Sequence, residues 1–290
     1  MKNLLSLINE QKSGFSKGQR LIAGFITEHY DKAAFMTASK LGSTVGVSES
    51  TVVRFATELG YDGYPKMQKA MQEMIRDKLT SVQRIEVTQS RMSGGNVLES
   101  VLNKDIEKIR RTLEETSKED FENAVSAVSR AKTIYIFAVR SSAALASFLG
   151  YYYSLIFENV KVISNCGETE VYEKLFRISS DDVIIGISFP RYSNAAIQAM
   201  TFAKKRGAKV IALTDSMASP LVSVSDYVLI AKSDMAAVVD SLVAPLSMIN
   251  ALIVATVLNM ESEVKHTFGM LESIWQEYDV YQNNRKDEAD

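Results

Sequence analysis

The sequence predicts an all-α helix-turn-helix domain followed by an α/β domain built on a doubly wound parallel sheet. Three observations support this order. Residues 37–64 read as two short capped helices meeting at a glycine, the layout of a motif that inserts a helix into DNA. From Thr133 onward, short β-rich runs alternate with helical patterns, which makes a parallel sheet covered on both faces. A chain of 290 residues also has room for about two domains of ordinary size.

In chain order, M-K-N-L-L-S-L-I-N-E reads as an amphipathic first helix, charged again at Glu10 and lacking the sustained apolar region and cleavage site of a secretory leader. Thr37 and Ser48 then sit where a side-chain oxygen accepts from the free N–H groups of a helix's first turn. Met36 with Leu41, and Val47 with Val52, staple those two starts. Gly46 supplies the turn between them, where a positive φ is expected. On the second helix Val52, Ala56 and Leu59 recur on one face, leaving Glu49, Ser50, Thr51 and Arg54 near the other. Those four, the caps Thr37 and Ser48, and Lys66 on the following helix are the candidate DNA contacts. An ordinary helical hairpin has the same spacing, so the pattern alone does not separate the two.

A mixed-charge helix from Pro65 to about Lys78 closes this domain, and K-L-T-S-V-Q-R-I-E-V-T-Q-S-R-M-S-G-G-N reads as a hinge. A long charged helix runs from about Asn96 to Glu115, and another from Lys118 to Arg130. Strands are expected at 133–137, 160–163, 183–187, 210–213 and 227–230; helices at 142–157, 168–177, 194–206 and 240–259. The resulting domains are 1–77 (DNA-binding), 78–122 (linker and connecting helix), 123–263 (sheet domain) and 264–290 (C-terminal helix and charged tail).

Ligands of such sheets bind at the C-terminal strand ends, beside helix N-termini. Two loops stand there: A-V-R-S-S (138–142) and S-F-P-R-Y-S-N (188–194). Each offers hydroxyls and backbone N–H groups at a helix start, where the dipole favours an anion, although simple capping would use the same residues. Glu168 and Glu170 open the helix after the second strand, where they complement its dipole.

Composition narrows the classes further. The net charge of −2 excludes a polybasic tail, while residues 1–80 hold eleven Lys/Arg against eight Asp/Glu, leaving 22 against 27 beyond. A mildly basic head on an acidic body suits a DNA-reading module joined to something else. One cysteine, Cys166, excludes an internal disulfide framework. With only His29 and His266, no zinc site assembles without heavy use of carboxylates, and no cofactor is expected. The most apolar stretch, 242–260, is interrupted by Pro245, Ser247, Asn250 and Asn259, so the expectation is a cytoplasmic protein with no membrane span.

The stretch Phe15 to Met71, with S-K-G-Q-R-L-I-A-G-F-I, V-S-E-S-T-V-V-R-F and L-G-Y-D-G-Y-P, resembles the N-terminal domain of RpiR-type bacterial transcriptional regulators. The two loops, together with A-L-T-D-S-x-x-S-P-L at 212–221, resemble the sugar isomerase (SIS) domain over about 123–263. In that family the loops are usually G-x-G-x-S and S-x-S-G-x-[ST]. Here Ala138 and Arg140 stand at the glycine positions of the first, and Pro190-Arg191 at the Ser-Gly of the second.

Carried over by position, Ser141, Ser142, Ser188 and Ser193 are the hydroxyl ligands the resemblance implies. Arg140 and Arg191 add guanidinium groups that can hold phosphate or carboxylate in a bidentate fashion. Glu168 and Glu170 are named because enzymes of the SIS group use an acid or histidine near the sugar. The resemblance implies a regulator of carbohydrate metabolism that senses a phosphorylated sugar or related anion. It further implies a homodimer or dimer of dimers on a palindromic double-stranded operator. Two alternatives stay open: a sugar-phosphate isomerase or lyase with a DNA-binding appendage, and a regulator whose SIS domain binds no small molecule.

Overall fold

The computed structural model describes residues 4–75, 85, 96–233 and 239–281; the expected hinge at 78–96, apart from Ile85 and Asn96, and the charged tail beyond 281 lie outside them. The chain divides near Val97 into two compact units.

The first unit is helical: α1 (Leu4–Gln11), α2 (Lys17–Glu28), α3 (Tyr30–Ala33), α4 (Ala38–Val45), α5 (Glu49–Glu58) and α6 (Tyr64–Ile75). One face of each longer helix is apolar, and those faces meet in a core that includes Leu4, Ile8, Ile22, Ile26, Leu41, Val52, Phe55, Met67 and Met71. Phe15 meets Phe55 edge-on, with ring centroids 5.2 Å apart. Polar side chains of α6 satisfy carbonyls of the turn between α3 and α4: Tyr64 Oη donates to Met36 O at 2.7 Å and Gln72 Nε2 to Ala34 O at 2.9 Å.

The second unit opens with α7 (Val97–Glu115) and α8 (Lys118–Arg130), then alternates β1 (Ile134–Ala138), α9 (Ala143–Ile156), β2 (Val160–Ser164), α10 (Glu168–Leu175), β3 (Val183–Ile187), α11 (Asn194–Lys205), β4 (Lys209–Thr214) and β5 (Tyr227–Ile230). Helices α12 (Val243–Asn259) and α13 (Glu261–Glu277) follow. The sheet is parallel, in the order β2-β1-β3-β4-β5. Alternate residues of each strand point to opposite faces. Ile134, Ile136, Ile185, Ile211 and Leu229 therefore meet α8, α9 and α12, while Tyr135, Phe137, Ile184 and Val210 meet α10 and α11. Burial on both faces is why these strands read as apolar runs.

The helix expected from Asp240 begins at Val243, because Leu242 (φ −99°, ψ 6°) is its non-helical cap. The helix expected from Ser142 begins at Ala143, preceded by a 3-10 turn over Arg140–Ser142. The last helix, α13, starts at Glu261, so the expected boundary at 263/264 falls inside it.

Candidate functional site

In the first unit, Thr37 Oγ1 accepts from Lys40 N–H at 3.1 Å and Ser48 Oγ from Thr51 N–H at 3.3 Å. Each cap is worth about 1 kcal/mol of helix stability. Gly46 adopts φ 77°, and the N–H groups of Gly46 and Val47 both return to Gly42 O, closing α4. On α5, Val52, Phe55 and Ala56 are buried, whereas Ser48, Glu49, Ser50 and Arg54 are exposed and Thr51 is half-buried. The Ser48 hydroxyl lies 2.9 Å from Ser50 Oγ and 2.8 Å from Thr51 Oγ1, so three hydroxyls cluster at the start of the helix. Arg54 Nε makes one long bond, 3.4 Å, to Ser50 O of its own helix. Lys66 is exposed in the first turn of α6.

Two features of this unit escaped the sequence reading. Gly42 lies where helix and turn cross: a β-carbon there would come within 2.8 Å of Val47 O. Gln19 completes a capping box, its Oε1 accepting from Ser16 N–H at 2.7 Å, and its amide also reaches Glu58 on α5. S-K-G-Q carries the signature of that box, but its partner 39 residues away leaves no local trace.

In the second unit, strand order reverses between the adjacent strands β1 and β3. The crevice at such a switch point, outside the C-terminal strand ends, is where open α/β sheets bind ligands. The loops after β1 and β3 flank it. Arg140 has φ 58° and Arg191 φ 62°, the left-handed region that side chains rarely adopt. Of the three positions where the resembled family usually has glycine, Arg140 and Arg191 thus keep a glycine-like backbone while carrying arginine, and Ala138 does not. Both side chains are exposed, and among the described residues neither guanidinium is ion-paired.

The serines are more occupied. Ser188 is 5% exposed, and its Oγ accepts from Ser193 N–H at 3.1 Å. Ser193 Oγ in turn caps α11 through Ala196 N–H at 3.4 Å. Ser142 is buried and Ser141 exposed within the 3-10 turn. The Arg140 N–H donates to Asn165 Oδ1 at 2.9 Å, which ties the first loop to the end of β2. Glu170 pairs with Lys174 at 2.8 Å on the surface of α10. Glu168 opens the same helix, and its side chain lies outside the described set.

A polar cluster beside the second loop was not foreseen. Tyr192 Oη donates to Asp215 Oδ1 at 2.7 Å, and Lys232 Nζ donates to Asp215 O at 3.2 Å while pairing with Glu115. Burial raises the Glu115 pKa, but hydrogen bonds from Lys232 and Arg111 outweigh it and hold the carboxyl below its ordinary value. Among the described residues, no group of three His, Cys, Asp or Glu side chains could hold a metal, and no single helix is long and apolar enough to cross a membrane.

The family models agree with both units. Residues 2–78 match the helix-turn-helix domain of the rpiR family, and residues 127–255 match the SIS domain. The chain belongs to the RpiR family. It is an RpiR-family helix-turn-helix and SIS regulator. Its relatives include an uncharacterized HTH-type transcriptional regulator of Haemophilus influenzae, 25% identical over 232 residues covering 79% of each chain. Another, from Clostridium perfringens, is 22% identical over 225 residues covering 77% of this chain and 80% of that one.

Among solved structures, the sugar isomerase domain of an RpiR transcription factor from Sphaerobacter thermophilus superposes with TM-score 0.58 at 29% identity, covering 62% of this regulator and 99% of that chain. Vibrio vulnificus NanR complexed with ManNAc-6P shares the fold, with TM-score 0.57 at 22% identity, over 97% of this chain and 100% of that one.

Proposed function

We propose that this RpiR-family regulator reads a double-stranded, palindromic DNA operator with α5 and senses a phosphorylated sugar or related anion at the β1/β3 switch point. The observation that carries the effector site is the pair of left-handed arginines, Arg140 and Arg191, which make no ion pair among the described residues, on the two loops that flank the crevice. Guanidinium groups are planar donors matched to phosphate and carboxylate, and a backbone held in a costly conformation marks a functional position. NanR of V. vulnificus has a sugar phosphate as its ligand, and the same ligand class is extended here to this chain.

In the first unit, the exposed Ser48, Glu49, Ser50 and Arg54 and the half-buried Thr51 form the start and outer face of a recognition helix whose inner face is buried. Thr37 and Lys66 complete the candidate contacts on the neighbouring helices. The regulator acts as a homodimer in the cytoplasm, without a cofactor and without catalysis. Isomerisation needs a positioned acid or base at the sugar carbonyl, whereas the switch-point loops supply arginines and hydroxyls.

Calorimetric titration of a phosphosugar panel, with turnover followed in parallel, tests the effector half. Binding without turnover is expected, and turnover would make the chain an enzyme. One observation favours a second reading, a SIS domain that binds nothing: the hydroxyls of Ser188 and Ser193 and the N–H of Arg140 are already engaged within the protein. Absence of binding across the panel would establish that reading in place of the sensor. Selection of bound sites from random duplex DNA tests the operator half, with inverted repeats as the expected result.

A further inference from the structure

A run of polar contacts leads from the loop after β3 to the end of α7. Tyr192 Oη donates to Asp215 at the end of β4, Lys232 just beyond β5 donates to Asp215 O, and the same ammonium pairs with Glu115 in the last turn of α7. Around it, Lys232 N–H donates to Thr112 Oγ1 at 2.8 Å and Thr116 Oγ1 to Ile230 O at 2.8 Å. Halfway along α7, Asp105 accepts from Ser241 Oγ at 2.7 Å.

We propose that Lys232 is a joint that passes the state of the loop after β3 to the end of α7. Asp215 is 2% exposed, and a carboxylate so buried depends on its hydrogen-bond donors. Tyr192 follows Arg191 directly, so a ligand that draws in Arg191 and shifts this loop pulls the hydroxyl away from Asp215. An ammonium already bonded to the same residue is in place to take over. Its flexible stem lets it turn from Glu115 to the Asp215 carboxylate. Glu115 gives it up at small cost, because its side chain is 43% exposed and water replaces the partner.

Two arrangements result. In one, Tyr192 serves Asp215 and Lys232 holds α7; in the other, Lys232 serves Asp215 and the last turn of α7 loses its ion pair. Such a discrete two-state element is what coupling between distant sites requires. In chain order α7 is the first helix after the segment that leads from the DNA-binding domain.

The biological meaning of this joint rests on the loop being the effector loop, but its test does not. Amide hydrogen exchange is followed on the full chain without ligand, comparing wild type with Tyr192→Phe, Glu115→Gln and the double variant. Loss of the one hydroxyl is expected to speed exchange at 109–116 by about fivefold or more, and to add nothing in the Glu115→Gln background. Lys232→Arg, which keeps a cation, is expected to retain wild-type protection, whereas Lys232→Met reproduces the loosened helix. Unchanged protection of α7 in Tyr192→Phe, or independent effects of the two substitutions, would overturn the joint. The phosphosugar titration fails or succeeds separately and bears on the effector site alone.

Discussion

Arg140 and Arg191 hold the conformation of glycine, and a left-handed backbone costs a residue with a β-carbon about 1 kcal/mol or more. Arg191→Gly should therefore leave stability within about 1 kcal/mol of wild type, since relief of strain is offset by glycine's larger unfolded-state freedom. Chemical denaturation measures this, and calorimetry of the same variant should show the effector lost. Arg191→Lys keeps both charge and strain but not the planar fork, so effector affinity should fall by about 1.5 to 3 kcal/mol. Equal affinity in wild type and both variants would return Arg191 to ordinary surface charge. In the other unit, Arg54→Ala should weaken operator binding by about 1 to 3 kcal/mol if the guanidinium reads a base. A phosphate contact would instead lower affinity for all sequences and flatten its salt dependence, and anisotropy titrations across a salt series separate the two. The substitution at both loop positions was visible in the sequence; the positive φ was not, because it depends on how each strand end enters its loop.

Elements were legible where pattern is local and opaque where partners are distant. The limits of α8, β3 and β5 agree with their expected ranges, because Ser117 caps α8 and the two strands are bounded by turn residues. The first strand lies one residue further on than expected, at 134–138: the register on β2 and β3 runs from Ile134 to Ala138, and Thr133 only accepts a bond at its carbonyl, from Val183 N–H at 3.1 Å. The ties of α7 to the sheet domain join residues more than a hundred positions apart and leave no periodic signal. Two outcomes follow at this scale. Gly42→Ala should destabilise the helix-turn-helix by about 1 to 3 kcal/mol, because its new methyl meets the rigid Val47 carbonyl and not a movable side chain. Thermal melts of the full chain and an operator titration check this, and an unaltered melt would mean that the turn can shift. The hold on α7 should also weaken in acid. Burial raises the Asp105 pKa, but hydrogen bonds from Ser241 and Lys108 outweigh it, so that, as for Glu115, the net shift is downward. A carboxylate depressed in the folded state stabilises above its unfolded pKa, and that contribution is lost as pH falls through the folded value. The stability difference between wild type and Glu115→Gln should thus be full near neutrality and vanish below the usual carboxylate range, as followed by melting against pH.

For the molecule as a whole, two recognition helices are needed to read a palindrome, so sedimentation should give about twice the 32.2 kDa of one chain. The outer side of α7 presents Leu98, Leu102, Ile106, Ile109 and Leu113 to solvent, a row whose exposure is unusual for a helix of a monomer. A mass of one chain at micromolar concentration would sink the dimeric reading and require another account of that row. The left-handed arginines bear on a different property of the molecule, its history. Every arginine codon stands a single base change from a glycine codon, and here that change asks for no rebuilding of either loop. A lineage could therefore move between an arginine-lined and a glycine-lined crevice one nucleotide at a time, each step folded and soluble, altering which metabolite is sensed while the operator stays the same.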